Sequence, residues 1–429
     1  MRTRIYNARI LTMADGMNMI EGEIQIEGNR ICYVGPEKRQ GDVDGAGDEF
    51  WDREINAEKN LVMPGFKNAH THSAMTFLRS YADDLPLLDW LNQQVFPMEA
   101  KLNKEHIYEL SKLAIMEYLT SGITANFDMY LTPETIARAS VDCGFRTVMT
   151  GAVNDFSQSV EEVEEWYQTY NHYHELISFQ LGFHAEYTTS RTLLEKMAEL
   201  SHKYQAPVWT HNSESLSEVE QCTERTGMTP TEYLDRLGMF DYGGGGYHCV
   251  HMTDEDLQIF VNKGLSVITN PGSNTKLASG VAPIQKMLDL GINIGIGTDG
   301  PASNNCLDMF REMFLVTGLA KLREKDASAV DANRVLYMAT IGGAKAMGLL
   351  DCDTLEEGKL ADLIMIDLHQ PNMQPLNNIT KNIVYSGSKQ NVIFTMVNGK
   401  ILYEKGKFDI GVEPEEVYRK ANEIIESFR

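Results

Sequence analysis

The chain has 429 residues, of which 43% are apolar and 23% charged, a composition typical of globular proteins with a large buried core. Acidic residues outnumber basic ones by 61 to 38, and the formal net charge of −23 argues against nucleic acid or an anionic membrane as a partner. There is no apolar run long enough to span a membrane, no secretion signal, and no C-x-x-C pair among the six cysteines, so we expect a reduced, cytoplasmic protein.

The first sixty residues predict short strands without helices. Residues 5–12, 23–27 and 29–35 have strand character and are separated by turn residues, and the polar, glycine-rich segment 43–47 predicts a loop. This part is too small to form a core alone.

From residue 61 onwards, apolar strands alternate with amphipathic helices. The predicted strands are residues 61–72, 123–130, 145–153, 177–184, 206–211, 247–251, 265–270 and 292–299. Eight strand–helix repeats over this length predict an α/β fold, a parallel (β/α)₈ TIM barrel. A doubly wound open sheet is the alternative, but no glycine-rich phosphate loop follows the first strand.

After the barrel, residues 357–368 and 391–402 return to strand character, and Asn398-Gly399 suits a tight hairpin. We expect a small β-sandwich domain formed by both chain ends, with the barrel inserted between its halves. The predicted division is residues 1–60 and 353–412 for the sandwich, 61–352 for the metal-dependent barrel, and 413–429 for a C-terminal helix.

Histidines stand at the ends of the predicted barrel strands, which meet at one mouth of a barrel. In LVMPGFKNAHTH, His70 and His72 are two residues apart on an extended strand and therefore point to the same side. The other candidates at strand ends are His184, His211, His248, His251 and Asp299. Because neutral imidazole is the commonest protein ligand for zinc, this clustering predicts a catalytic metal site.

A mononuclear site is favoured. The set His70, His72, His211 and Asp299 offers three imidazoles and one carboxylate and leaves room for a water. The alternative is a two-metal site bridged by a carboxylated lysine, but the fourth strand, ISFQLGFHAEYT, has no lysine. The H-x-E and P-C-x-x-C motifs of cysteine-ligated nucleobase deaminases are absent from the sequence.

Hydrolysis also needs a group that moves a proton. A divalent metal lowers the pKa of bound water towards about 7, which makes it a nucleophile. Glu214, three residues after His211 in HNSE, can take the proton and deliver it to a ring nitrogen or leaving amine. The alternative is an ordinary acidic residue at a helix start. His248 is suited to orient the hydroxide, but strand parity alone supports His248 over His251.

Several segments together resemble the amidohydrolase superfamily: PGFKNAHTH, HNSE, HCVH, NPGSNTKLASGVAP, GIGTDGPASNN and LEEGKLADLIMIDL. Within it, the chain is similar to the 5′-methylthioadenosine/S-adenosylhomocysteine deaminases, near the chlorohydrolase and triazine hydrolase branch. The resemblance implies one Zn²⁺, or Fe²⁺ or another divalent metal, and a homo-oligomer. The ligands that it implies are His70, His72, His211 and Asp299, with Glu214 as the acid/base and His248 as the hydroxide-orienting residue.

The resemblance also implies substrate contacts. It assigns Trp90 to stacking on the purine, Glu99 to the ribose hydroxyls, and His184 to a further substrate contact. Glu214 and Asp299 are expected to touch the substrate as well. An indole face suits a purine and a carboxylate accepts from a vicinal diol. Without the resemblance, a core tryptophan and a surface glutamate are the simpler interpretations.

The sequence departs from the family at the end of the third strand. Arginine is common there and suits the carboxylate of S-adenosylhomocysteine, but here the stretch reads MTGAVNDFSQS, with Gly151 at the matching place and no arginine before Arg191. A bidentate arginine is hard to replace. We therefore expect neutral adenosines to be preferred: 5′-methylthioadenosine, 5′-deoxyadenosine or adenosine.

The expected function is a zinc-dependent hydrolytic deaminase of adenosine-type nucleosides, acting on C–N bonds of cyclic amidines and giving the inosine analogue and ammonia. His248 and Asp299 are expected to orient the hydroxide for attack at C6 while Glu214 protonates N1. Alternatives on the same scaffold are a guanine or oxidised-guanine deaminase and an s-triazine deaminase or chlorohydrolase. A non-enzymatic assembly protein is a third possibility, but all the predicted ligands are present.

Overall fold

A computed structural model describes residues 1–14, 16–38, 50–81, 83–85 and 87–428. The predicted loop at residues 43–47 lies outside the described residues. Within them, the main strands form two sheets, one of nine strands and one of eight. The N-terminal strands are β1 (Arg2–Leu11), β2 (Met19–Glu27), β3 (Arg30–Gly35), β4 (Arg53–Asn56) and β5 (Leu61–Pro64).

The eight-stranded sheet is parallel throughout and follows chain order. Its strands are β6 (Phe66–Thr71), β7 (Ile123–Asp128), β8 (Arg146–Thr150), β9 (Ile177–Ala185), β10 (Val208–Asn212), β11 (Gly244–His248), β12 (Ser266–Thr269) and β13 (Asn293–Ile296). The first and last strands lie side by side. Just after β13, the Asp299 N–H donates to the His70 carbonyl of β6 at 3.0 Å. The predicted TIM barrel is confirmed.

Both chain ends build the nine-stranded sheet. The C-terminal part adds β14 (Leu363–Ile366), β15 (Val392–Val397), β16 (Lys400–Glu404) and β17 (Lys407–Phe408). β5 joins the two ends, since it pairs with β1 in parallel and with β14 in antiparallel orientation. Alternating side chains such as Ile5, Ile24 and Met365 form a separate apolar core. This mixed sheet corresponds to the predicted small β domain, while the division of the chain at residues 61, 353 and 413 stays a prediction.

Helices cover the barrel and connect its strands. They are α1 (Leu87–Trp90), α2 (Phe96–Glu99), α3 (Lys104–Thr120), α4 (Pro133–Cys143), α5 (Val160–Tyr170), α6 (Arg191–Tyr204), α7 (Leu216–Thr226), α8 (Pro230–Arg236), α9 (Asp254–Lys263), α10 (Pro271–Lys276), α11 (Ile284–Asp289), α12 (Met309–Glu324), α13 (Ala332–Tyr337), α14 (Gly343–Met347), α15 (Ile379–Tyr385) and α16 (Pro414–Ser427). Among the described helices, none combines the length and the apolar character that crossing a membrane requires.

Several strand boundaries differ from the prediction, and two of these differences change where the barrel strands begin. The apolar run Leu61–Pro64 belongs to the mixed sheet, and the barrel begins at Phe66 after a break at Gly65. The sixth barrel strand is Gly244–His248, three residues earlier than predicted. Its glycines are needed because a Cβ at Gly245 would lie 2.0 Å from a backbone oxygen of the neighbouring strand.

A buried ion pair joins the barrel to the mixed sheet. Arg146 begins β8, and its guanidinium contacts Asp362, just before β14, at 2.7 and 3.0 Å. Both side chains are buried. Asp362 also accepts the N–H of Asn398 in the β15–β16 hairpin at 2.7 Å. The carboxylate therefore fixes two elements of the mixed sheet against the N-terminal end of a barrel strand.

Candidate active site

His70, His72 and Asp299 meet at the C-terminal mouth of the barrel. Nε2 of His70 lies 3.6 Å, and Nε2 of His72 3.2 Å, from Oδ1 of Asp299. Asp299 has φ of 58°, a conformation uncommon outside glycine that is retained where the surroundings impose it. The N–H of Gly300 and the hydroxyl of Ser303 donate to its carboxylate at 2.7 and 3.0 Å. The carboxylate is therefore fixed towards the two imidazoles.

His211 completes this group from β10. Its ring centroid lies 4.9 Å from that of His70 and 5.5 Å from that of His72. The Nδ1–H of His211 donates to the carbonyl of His184 at 2.7 Å, and that of His72 to the carbonyl of Met129 at 2.5 Å. When Nδ1 of a neutral imidazole carries the proton, Nε2 keeps a free lone pair. Such backbone contacts orient metal-binding histidines.

The donor set fits a divalent metal ion. Both ring nitrogens of His70 are buried and have no hydrogen-bond partner among the described residues, a costly state for polar atoms. Its ring stacks on Tyr247 at a centroid distance of 3.8 Å. The ligand atoms of His70, His72 and Asp299 lie within 4.8 Å of one another. Three imidazoles and a carboxylate around one point match the ligands that zinc prefers.

The protonation states agree with this role. Burial and the neighbouring His72 lower the pKa of His70 well below its usual range, and burial with His184 does the same for His211. Burial opposes ionisation of Asp299, but the neighbouring imidazoles of His72, His248 and His70 together hold its pKa well below its usual range. Burial also opposes the charge on His72, yet Asp299 raises its pKa. The Asp299 carboxylate thus favours positive charge between itself and His72.

Glu214 and His248 lie beside this centre. Nε2 of His248 is 3.7 Å from Oε2 of Glu214 and 3.8 Å from Oδ2 of Asp299. The Nδ1–H of His248 donates to the side-chain oxygen of Asn274 at 2.7 Å, which fixes the ring. Burial raises the pKa of Glu214. A carboxyl that holds its proton more tightly than usual is suited to general acid–base chemistry.

His251 does not belong to this group. The strand ends at His248, and the Nε2–H of His251 donates to the carbonyl of Ser279 at 2.7 Å. Strand parity favoured His248 over His251, and the structure places the His248 ring beside Glu214 and Asp299.

The centre opens into a cavity of about 460 Å³. The predicted substrate residues Trp90, Glu99 and His184 line it. So do His72, His211, Glu214, His248 and Asp299, whereas His70 is fully buried beneath. The structure therefore brings together the residues expected to serve metal binding, substrate binding and proton transfer, and of the strand-end candidates His251 alone lies outside this group.

Trp90 and Glu99 stand at the ends of two short helices. α1 ends at Trp90 and α2 at Glu99, and a π-helical turn, Leu91–Val95, joins them. π-turns widen a helix locally and are frequent at functional sites. Burial raises the pKa of Glu99 to about 7. Burial and His72 lower the pKa of His184, which also lines the cavity, to about 4, so its imidazole is neutral at neutral pH.

The departure at Gly151 has a structural cause. A Cβ there would lie 2.7 Å from the Val163 side chain and 2.8 Å from the carbonyl oxygen of Gly182, so a side chain at this position would require its neighbours to shift. The cavity wall is formed instead by the next residues of the same loop, with Ala152 and Phe156 among them.

The polar groups of this loop are engaged within it. The Asn154 side-chain oxygen accepts the N–H groups of Phe156 and Ser157 at 3.0 and 2.8 Å, and its amide donates to the Ala152 carbonyl. The Phe156 ring lies 5.4 Å from that of Phe96. The sequence analysis missed both aromatic rings, and an aromatic residue in a polar loop was the one available signal. Among the described cavity-lining residues there is no lysine or arginine.

A parallel barrel that carries three histidines, an aspartate and a nearby glutamate at the carboxyl ends of its strands has the architecture of a metal-dependent hydrolase. Residues 61–402 match the amidohydrolase family, and the chain belongs to it. It is a hydrolase that acts on carbon–nitrogen bonds.

Relatives cover nearly the whole chain. The 5-methylthioadenosine/S-adenosylhomocysteine deaminase of Thermoanaerobacter pseudethanolicus is 38% identical over 94% of each chain. The 5′-deoxyadenosine deaminase of Methanocaldococcus jannaschii is 40% identical over 95% of this chain and 96% of its own. A zinc-containing adenosine deaminase from Xanthomonas campestris is similar in structure, with a TM-score of 0.92 at 31% identity, covering 100% of this chain and 98% of its own.

Proposed function

We propose that the protein is a zinc-dependent deaminase of adenosine-type nucleosides, which exchanges the 6-amino group of the purine for oxygen and releases ammonia. The observation that carries this proposal is the placement of Trp90 and Glu99 in one cavity with Glu214. The three relatives reported above are named as deaminases of adenosine or its derivatives, which supports the proposal. A cytoplasmic location and a homo-oligomeric state stay predictions.

His70, His72, His211 and Asp299 would hold one zinc ion, with Fe²⁺ or another divalent cation as alternatives. When bound, the ion supplies Lewis acidity that makes water nucleophilic at neutral pH. Glu214 takes a proton from the attacking water and delivers it to N1 of the purine. His248 and Asp299 orient the water towards C6, where a C–O bond forms. The second proton of that water then goes to the amino nitrogen, the C6–N bond breaks, and ammonia leaves.

The outer cavity binds the rest of the nucleoside. The Trp90 indole stacks on the purine, and the Glu99 carboxylate accepts hydrogen bonds from the ribose diol. His184, neutral at neutral pH, offers an uncharged polar contact. A free guanine or triazine has no diol for Glu99, which favours a nucleoside over a base. Since no lysine or arginine among the described lining residues can pair with the carboxylate of S-adenosylhomocysteine, neutral 5′ groups are preferred.

Ammonia release, with the accompanying ultraviolet change, tests this function. The panel is 5′-methylthioadenosine, 5′-deoxyadenosine, adenosine, S-adenosylhomocysteine, adenine, guanine and an s-triazine. We expect the neutral adenosines to be turned over fastest. Activity on free bases or triazines alone would contradict the roles of Trp90 and Glu99.

Glu214→Gln should retain the metal and lower kcat by about 100-fold or more, and full activity in that variant would exclude Glu214 as the acid/base.

A further inference from the structure

Glu218 is a buried carboxylate that the proposed reaction does not use. It lies in the first turn of α7 and is 3% exposed. Its two oxygens accept the main-chain N–H groups of Ser213 and Glu214 at 2.9 and 2.8 Å. The residues that it binds therefore belong to the turn that carries the proposed acid/base from β10 towards α7.

This turn is strained and bound from two sides. Ser213 has φ of 51°, which a residue with a side chain adopts only where its surroundings impose it. Its N–H binds Glu218, and its carbonyl accepts the N–H groups of Val250 and His251 at 3.1 and 2.9 Å. Those residues directly follow the strand that ends at His248. The turn is thus clamped between Glu218 and the segment that carries the hydroxide-orienting histidine.

We infer that Glu218 is a positioning residue for proton transfer: by holding the Ser213–Glu214 turn, it aims the Glu214 carboxyl at the substrate. A carboxylate suits this task because it presents two acceptor oxygens and no donor. Burial and the neighbouring Glu214 raise the pKa of Glu218 to about 8, while the main-chain N–H groups that it accepts favour the ionised form, in which these bonds are charge-assisted. The inference rests on the proposed role of Glu214.

A capping role alone does not account for these contacts. Asp256, at the start of α9, shows an ordinary capping arrangement: it is buried and accepts the N–H of its own N-cap residue, Thr253, at 2.9 Å. The Glu218 carboxyl also lies within reach of the N–H of its N-cap residue, Ser215, but its hydrogen bonds at 2.9 and 2.8 Å go to the two preceding residues, Ser213 and Glu214. Asp256 therefore provides a matched control, since it is a buried acceptor at a helix start that binds no part of the proposed catalytic machinery.

A double-mutant cycle tests the inference. Glu218→Gln keeps one acceptor oxygen but sets an amide NH₂ against the second N–H, so the turn loses its fixed geometry. We expect kcat for ammonia release from 5′-methylthioadenosine to fall by about 10- to 100-fold, the cost typical of a small misplacement. KM and bound metal, measured by elemental analysis, should be unchanged. In the Glu214→Gln background, Glu218→Gln should lower kcat no further, because no carboxyl remains to be aimed.

The control and the milder variant separate the outcomes. Asp256→Asn should leave kcat unchanged in both backgrounds, although it lowers the thermal midpoint. If Glu218→Gln does not fold, Glu218→Asp, whose carboxylate is retracted, should show the same loss of kcat without loss of metal. Full kcat in the folded Glu218 variants, or effects of Glu214→Gln and Glu218→Gln that multiply, would overturn the inference alone. Full activity of Glu214→Gln would overturn the proposed function itself.

Discussion

An arginine at residue 156 should change which 5′ substituents the enzyme accepts. Phe156 lines the cavity and is 60% exposed, so a longer, charged side chain fits there without disturbing the core. The described wall has no lysine or arginine, whereas Glu99, Glu214 and Asp299 line it. Phe156→Arg would supply a bidentate partner for the carboxylate of S-adenosylhomocysteine.

The exposure of residue 156 sets how much the new arginine can strengthen binding of S-adenosylhomocysteine. A hydrogen bond to a charged group is worth about 1.5–3 kcal/mol. At a position that is 60% exposed, solvent and salt screen the pair, so the lower end applies. About 1.4 kcal/mol corresponds to about a tenfold change in kcat/KM.

The assay compares kcat/KM for S-adenosylhomocysteine with that for 5′-methylthioadenosine. In Phe156→Arg the ratio should rise about tenfold, and the gain should shrink as salt is added. Phe156→Gln, which removes the ring without adding charge, should leave the ratio unchanged. An unchanged ratio in a folded, metal-containing Phe156→Arg protein that still deaminates 5′-methylthioadenosine would refute the assignment of the 5′ end to this loop.

Two further predictions concern a titratable substrate contact and the junction of the two sheets. Because burial raises the pKa of Glu99 to about 7, the carboxylate that accepts from the ribose diol is lost below that pH. KM for 5′-methylthioadenosine should therefore rise as the pH falls through about 7, and Glu99→Gln should abolish this dependence while keeping KM high. Arg146→Met leaves the buried Asp362 charge without its partner, which should lower the free energy of unfolding in urea by about 3–5 kcal/mol. The paired change with Asp362→Leu should recover most of it, and an equally unstable double variant would contradict this reasoning.

Barrel geometry made the metal centre predictable from sequence. The carboxyl ends of the barrel strands lie on one face of the barrel whatever conformation the loops adopt. Histidines at strand ends, such as His70 and His211, are therefore brought close together by the fold itself. Side-chain alternation then placed His70 and His72 on one side. These two rules need no knowledge of the loops.

Functional residues in short helices and loops could not be identified from strand periodicity in the sequence. Trp90 and Glu99 stand on short helices joined by a π-turn, where helical periodicity fails, and they were assigned through family resemblance. Phe156 lies in a loop whose shape depends on the side-chain bonds of Asn154. Glu218 looks like an ordinary acidic residue at a helix start until its partners are seen.

The position of β5 has a consequence for the order in which the protein is made. This strand pairs with β1, which precedes it, and with β14, which is synthesised only after the whole barrel sequence. Its second edge therefore stays open on the ribosome while the intervening chain is added at about 5–20 residues per second. An open apolar edge invites pairing with other chains. The nascent protein should thus depend on chaperones until its last strands emerge.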